Sequence, residues 1–127
     1  MKNETIIKIM VVDDNKRMRE VIKDTLSMIL CSIIECSNGQ DAVDGYEKSS
    51  PDWVLMDVKM KPMNGITALL EIKKNHPDAK VIMVTNCIEE EISIASFKAG
   101  ATAFVQKESL SLIPDLIVNT QTKLSHN

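Results

Sequence analysis

No stretch of this sequence is apolar for long enough to cross a bilayer, and the opening residues Met1-Lys2-Asn3-Glu4-Thr5 lack the apolar core of a signal peptide. Both absences point to a cytoplasmic protein with no membrane partner. No Lys/Arg-rich run appears and the formal net charge is −3, so direct binding of DNA or RNA has no electrostatic footprint. Cysteine is sparse. Cys31, Cys36 and Cys87 are odd in number and match no CxxC or zinc spacing, and they read as small buried hydrophobes in a reducing compartment. No repeat, low-complexity segment or linker interrupts the 127 residues. One domain over 1–127 is expected, its core at about 6–120, with no output domain following. What is present is ordinary: 44% hydrophobic and 26% charged residues, enough for a core without staples. The eight methionines read as core filler.

Five short apolar runs alternate with helical patterns. Ile6-Ile7-Lys8-Ile9-Met10-Val11-Val12 is β-branched and ends in Asp13-Asp14-Asn15, a strand delivering two adjacent acids. Over 16–30, Met18, Val21, Ile22, Leu26 and Ile29 recur at helical spacing, with Lys16, Arg17, Arg19, Glu20, Lys23 and Asp24 on the other face. No glycine marks where this helix gives way to a second strand, placed at about 32–35. Ser37-Asn38-Gly39-Gln40 caps a short helix with Ala42, Val43 and Tyr46 inward, stopped by Ser49-Ser50-Pro51. Trp53-Val54-Leu55-Met56-Asp57 is too short for a buried helix and is bounded by Pro51-Asp52 and by Pro62, Asn64 and Gly65. It reads as a strand covered on both faces. A helix follows with Ile66, Leu69, Leu70 and Lys73 in register, closing at Asn75-His76-Pro77. His76 reads as a solvated helix-end residue. Lys80-Val81-Ile82-Met83-Val84 is the fourth strand and delivers Thr85-Asn86-Cys87. Glu89-Glu90-Glu91 opens a helix with Ile92, Ala95 and Ala99 buried and Gly100 at its end. Ala103-Phe104-Val105-Gln106 delivers Lys107, and a last helix from about residue 110 packs Leu112, Ile113, Leu116 and Ile117 around a tolerated Pro114. Alternation of this kind implies parallel pairing through right-handed crossovers, hence a three-layer, doubly wound α/β domain.

In such a sheet the C-terminal strand ends share one edge, where ligands bind. Asp13-Asp14, Asp57, Thr85 and Lys107 all fall there. Alone, Asp57 is explained as an Asx-turn or helix cap, Asp13-Asp14 equally well as a cap, and Thr85 better as one. Together they ask for more. Three carboxylates in reach of one another repel unless a cation sits among them, and hard oxygen donors without His or Cys point to Mg2+ or Mn2+. A lysine and a hydroxyl opposite such a cation suit a phosphoryl group. Asp57 is then the nucleophile, attacking phosphorus to give an acyl phosphate.

These residues resemble, in order, those of the response-regulator receiver domain of two-component signalling, over roughly 7–118. Val11-Val12-Asp13-Asp14 is similar to the family's first-strand acidic pair, and Met56-Asp57-Val58-Lys59-Met60 with Met63-Asn64-Gly65 to its phospho-acceptor segment. Thr85 corresponds to its switch hydroxyl, Lys107 to its lysine, and Phe104, three residues before Lys107, to its switch aromatic. The resemblance implies the flavodoxin-like strand order 2-1-3-4-5. It implies Mg2+ held directly by Asp14 and Asp57, by Asp13 through water and by the backbone carbonyl of Lys59. It further implies phosphorylation of Asp57 by a sensor histidine kinase or phosphotransfer protein, a switched face of fourth helix, fifth strand and fifth helix, an output partner, and a phosphorylation-dependent dimer. The chain departs from the family pattern at Lys61 and Glu108, where proline is usual, and at Asn86, where a small residue is usual. Glu108 is the residue type found in receivers attached to helix-turn-helix output domains. The expected function is therefore a signalling switch whose only catalysis is its own phosphorylation and dephosphorylation. Two rivals are a degenerate receiver used as a phosphorylation-independent interaction module, and a small aspartyl-phosphate phosphohydrolase. The latter lacks a DxD nucleophile pattern and a cap domain.

Overall fold

The computed structural model describes residues 6–86 and 89–125, the last three as backbone only. Cys87 and the first five residues lie outside the described part. Five parallel strands, β1 (Ile7–Val12), β2 (Cys31–Cys36), β3 (Trp53–Asp57), β4 (Val81–Thr85) and β5 (Ala103–Gln106), form one sheet in the order β2-β1-β3-β4-β5. The helices are α1 (Lys16–Thr25), α2 (Gly39–Ser49), α3 (Gly65–Asn75), α4 (Glu90–Lys98) and α5 (Ile113–Ser125).

The two-residue period of the strands sorts their side chains into two cores. Ile9, Val11, Trp53, Leu55, Ile82, Val84 and Val105 pack with Ile22 and Leu26 of α1 and Ile113 and Ile117 of α5. Met10, Val12, Val54, Met56, Val81 and Met83 pack with Ala42 and Tyr46 of α2, Ala68, Leu69 and Ile72 of α3, and Ala99. Both faces of β3 and β4 are thus covered, as their unbroken apolar runs require. Four of the methionines, Met10, Met56, Met60 and Met83, fill the second core as expected, but Met28, in the turn after α1, is 78% exposed.

Three helices are capped by asparagine. Asn15, Asn38 and Asn64 accept from the amides of Met18 (3.0 Å), Asp41 (2.8 Å) and Thr67 (2.9 Å). Each such cap contributes about 1 kcal/mol. These asparagines occupy the role that Asp13, Asp14 and Asp57 would otherwise have been assigned, and Thr85 lies four residues before Glu89, the N-cap of α4.

The structure departs from the sequence reading in local detail. The helix expected over 16–30 ends at Thr25 and tightens into a 3-10 turn, Leu26–Met28. The hydroxyls of Thr25 and Ser27 donate back to the carbonyls of Val21 (3.0 Å) and Asp24 (2.7 Å), competing with helix propagation. Val21 and Leu70 are exposed rather than inward, and Ile72 fills the core beside Leu69. At the other end, a 3-10 segment (Lys107–Leu112) precedes α5, which starts where Pro114 fits the first turn. Leu112, expected to pack inward, is exposed, and Leu110 is buried in its place. His76 is not simply solvated: its Nε2 lies 2.9 Å from Glu47 Oε1 and its ring 4.8 Å from that of Tyr46. Cys36 is buried and Cys31 half-buried.

Candidate functional site

The strand register brings the chemistry together. Val12 pairs with Met56, so Asp13 lies beside Asp57 as the chain leaves β1; Asp57 pairs with Val84, one residue short of Thr85; and Thr85 pairs with Gln106, one residue short of Lys107. Carboxylate oxygens of Asp13, Asp14 and Asp57 all lie within 4.8 Å of one another. Asp13 and Thr85 are 1% exposed and Asp57 6%, whereas Asp14 faces solvent. An open cleft of about 360 Å³ at this edge is lined by Asp57, Lys59, Thr85, Asn86 and Lys107.

The Lys107 ammonium stands 3.0 Å from Asp13 Oδ2 and 3.6 Å from Asp57 Oδ1. One lysine serves two buried carboxylates and leaves the third uncompensated. Asp13 Oδ1 accepts the Asn15 amide at 2.9 Å. Asp13 Oδ2 is close enough to Lys107 for an ion pair but lacks the alignment of a hydrogen bond, so it is a buried oxygen with no hydrogen-bond partner. Burial pushes the Asp57 carboxyl up to about 6; Asp13 adds to this, and the opposing pull of Lys107 and the Lys59 backbone amide does not cancel it, with a smaller upward push from Asp14. At 4.8 Å and an effective dielectric of ~20, two unit charges repel by roughly 3 kcal/mol. The pocket as built is short of positive charge.

An all-oxygen donor set, a buried unsatisfied carboxylate oxygen aimed into it and excess negative charge fit a hard divalent cation. Lys59 reaches the rim through the β3–α3 loop, which turns back so closely that Gly65 donates its amide to the Val58 carbonyl at 2.7 Å. A Cβ at Gly65 would collide with the Asp57 backbone carbonyl. Gly65 therefore has to be glycine to seat Asp57, a close approach that its role as turn punctuation only partly foretold.

Phe104 is three residues from Lys107, half-buried on β5 against the second core. It also lines an apolar groove of about 460 Å³ with Phe97, Leu112 and Leu116, between α4, β5 and α5. Asn86 is exposed and lines the acidic cleft. One functional candidate escaped the sequence reading. Arg19, assigned there to the solvent face of α1, donates Nη1 to the Asp13 carbonyl at 2.7 Å. The signal that would have found it is Glu35, the opposite charge at the end of the adjacent strand, which its Nε meets at 2.8 Å.

Comparison with known proteins agrees with this geometry. The family model for the response regulator receiver domain matches residues 9–116. The chemotaxis protein CheY of Thermotoga maritima is 35% identical over 119 residues, 93% of this chain and 97% of that protein. The crystal structure of the response regulator domain of Thermotoga maritima CheB is similar with a TM-score of 0.80 at 32% identity, covering 93% of this chain and 96% of that one. A chain of the CheX-CheY-BeF3-Mg2+ complex from Borrelia burgdorferi gives a TM-score of 0.75 at 26% identity, covering 79% and 77%. With its five parallel strands in the order 2-1-3-4-5 and its acidic strand ends, the chain belongs to the response regulator receiver domain family of two-component signalling.

Proposed function

We propose that this receiver domain takes a phosphoryl group from a sensor histidine kinase or phosphotransfer protein onto Asp57 and thereby switches its affinity for an output partner in the cytoplasm. The observation that carries the reading is the cluster of three carboxylates whose buried Asp13 Oδ2 has no hydrogen-bond partner while Lys107 leans across it toward Asp57. In the transfer, an Asp57 oxygen forms the new P–O bond as the P–N bond to the donor imidazole breaks and its electron pair returns to nitrogen. Lys107, already 3.6 Å from Asp57, meets the charge of the incoming oxygens, and the Thr85 hydroxyl at the adjacent strand end donates to another. Asp14 and Asp57 would hold Mg2+ directly, with Asp13 acting through water and the Lys59 carbonyl completing the set; Mn2+ suits the same donors. A cation held there would supply positive charge to offset the carboxylates and the transferring oxygens. The presence of BeF3 and Mg2+ in the similar Borrelia complex supports this assignment.

The switch follows from a contact made in one state only. Thr85 moves toward the phosphoryl oxygens, and Phe104, half-buried on the neighbouring strand two residues before Gln106, the register partner of Thr85, turns inward and reshapes the groove it shares with Phe97 and Leu112. Exposed Ile94, Phe97 and Leu112 offer that face to an output partner or a second copy. A phosphorylation-independent interaction module is not favoured, because every group the chemistry needs is present. Acetyl phosphate with Mg2+ tests the reading: intact-mass measurement should show one added phosphoryl group, absent in Asp57→Ala. Persistence of the adduct in that variant would remove Asp57 from the role.

A further inference from the structure

We infer that Arg19 is a positioning residue for the cation site, holding the peptide that joins Asp13 to Asp14 through a tie that runs to Glu35 on the neighbouring strand. The inference rests on the metal reading above. Arg19 lies one turn into α1, its amide bonded to the Asn15 carbonyl at 3.1 Å, and its side chain is only 14% exposed. Its guanidinium forks. Nη1 donates to the Asp13 carbonyl at 2.7 Å and Nε to Glu35 Oε1 at 2.8 Å. Lys23 fixes the other Glu35 oxygen, Oε2, at 2.8 Å.

The consequence lies in covalent geometry. The Asp13 carbonyl and the Asp14 amide belong to one planar peptide unit, so holding the oxygen sets the direction in which Asp14 leaves the strand. Asp13 is otherwise pinned by its amide to Cys36 (3.1 Å) and by its Oδ1 to the Asn15 amide (2.9 Å). Arg19 supplies the remaining restraint. Of the three carboxylates only Asp14 is exposed, so its placement depends most on the peptide behind it. Groups standing behind metal ligands in this way typically change affinity by tenfold or more when removed. A planar fork reaches both acceptors at once, and an ammonium cannot reproduce it.

Charge and position predict opposite outcomes, which makes the role testable. Arg19 is a cation beside a cation site; on charge alone, Arg19→Met tightens Mg2+ binding and Arg19→Lys leaves it unchanged. Positioning predicts that both variants weaken it, roughly tenfold. Mg2+ titrations of the full chain, followed by amide NMR shifts at Asp13, Asp14 and Asp57, read the affinity directly, and far-UV dichroism checks the fold. Should Arg19→Met not fold, Arg19→Lys decides alone, because it keeps the charge and loses the fork. Weakened Mg2+ binding in folded Arg19→Lys is the expected result. Wild-type or tighter affinity would overturn the role. A wild-type chain that binds no Mg2+ would instead overturn the metal reading, and this inference with it.

Discussion

Replacing Asp14 by Asn should make the protein more stable without Mg2+ and less stable with it. Asp14 Oδ sits within 4.8 Å of carboxylate oxygens of both Asp13 and Asp57. A pair of unit charges at that distance repels by roughly 1 kcal/mol in a water-like dielectric and roughly 3 kcal/mol at an effective value of ~20. Because Asp14 is exposed, the lower end applies, and neutralising it with an isosteric amide should gain about 1–2 kcal/mol in chelator. Mg2+ reverses the order. At a concentration ~100 times the wild-type dissociation constant, binding adds about 2.7 kcal/mol to the wild type. A hundredfold weaker Asp14→Asn protein gains only about 0.4 kcal/mol at the same concentration. Urea unfolding in chelator and in Mg2+ should therefore give curves that exchange places, each kcal/mol moving the midpoint by about 0.5 M. The reasoning fails if Asp14→Asn is less stable in chelator, or if Mg2+ stabilises both proteins equally.

Three further outcomes follow from particular contacts. Gly65→Ala places a Cβ against the Asp57 carbonyl and 3.0 Å from Met83 Cε, so it should cost about 1–3 kcal/mol in urea unfolding and also weaken Mg2+ binding; a neutral result would mean that the β3–α3 loop relaxes freely. Burial holds the Cys36 thiol up at about 11, with Asp41 adding to the effect. The fold favours the neutral thiol while the unfolded chain ionises near 9, so stability should fall as pH rises from about 9 toward 11, and Cys36→Ala should flatten that decline. Beryllofluoride with Mg2+ should shift amide NMR signals from the end of β4 through residue 112, well beyond the acidic pocket; shifts confined to the surroundings of Asp14, Asp57 and Thr85 would leave the chain without a switch.

The five strands could be read because each is a short apolar run closed by polar or turn residues, and burial on both faces leaves little else for such a run to do. The site was readable for the same reason: parallel strands align their C-terminal ends, so Asp13, Asp57, Thr85 and Lys107 had to meet once the topology was known. Where tertiary packing chooses between neighbouring hydrophobes, pattern alone failed. Leu110 and Leu112 are equally apolar, and only the 3-10 turn before Pro114 decides which is buried. The end of α1 was hidden because Met28-Ile29-Leu30-Cys31 carries no punctuation and the helix is closed by hydroxyls bonding to carbonyls behind them. Arg19 looked like any solvated helix charge, since its partners, a carbonyl of β1's exit and a glutamate sixteen residues away, are adjacent only in the folded sheet.

The central claim is that Asp57 carries the phosphoryl group, and an acyl phosphate has a reactivity that no phosphoester shares: borohydride reduces it to the alcohol. Protein treated with acetyl phosphate and Mg2+, reduced and digested should yield homoserine at position 57 in the peptide that contains Trp53 and Met56, with every other aspartate intact and no conversion when Mg2+ is chelated. Homoserine at Asp13, Asp14 or another position, or an unmodified Asp57 in protein that has gained a phosphoryl group, would contradict the account.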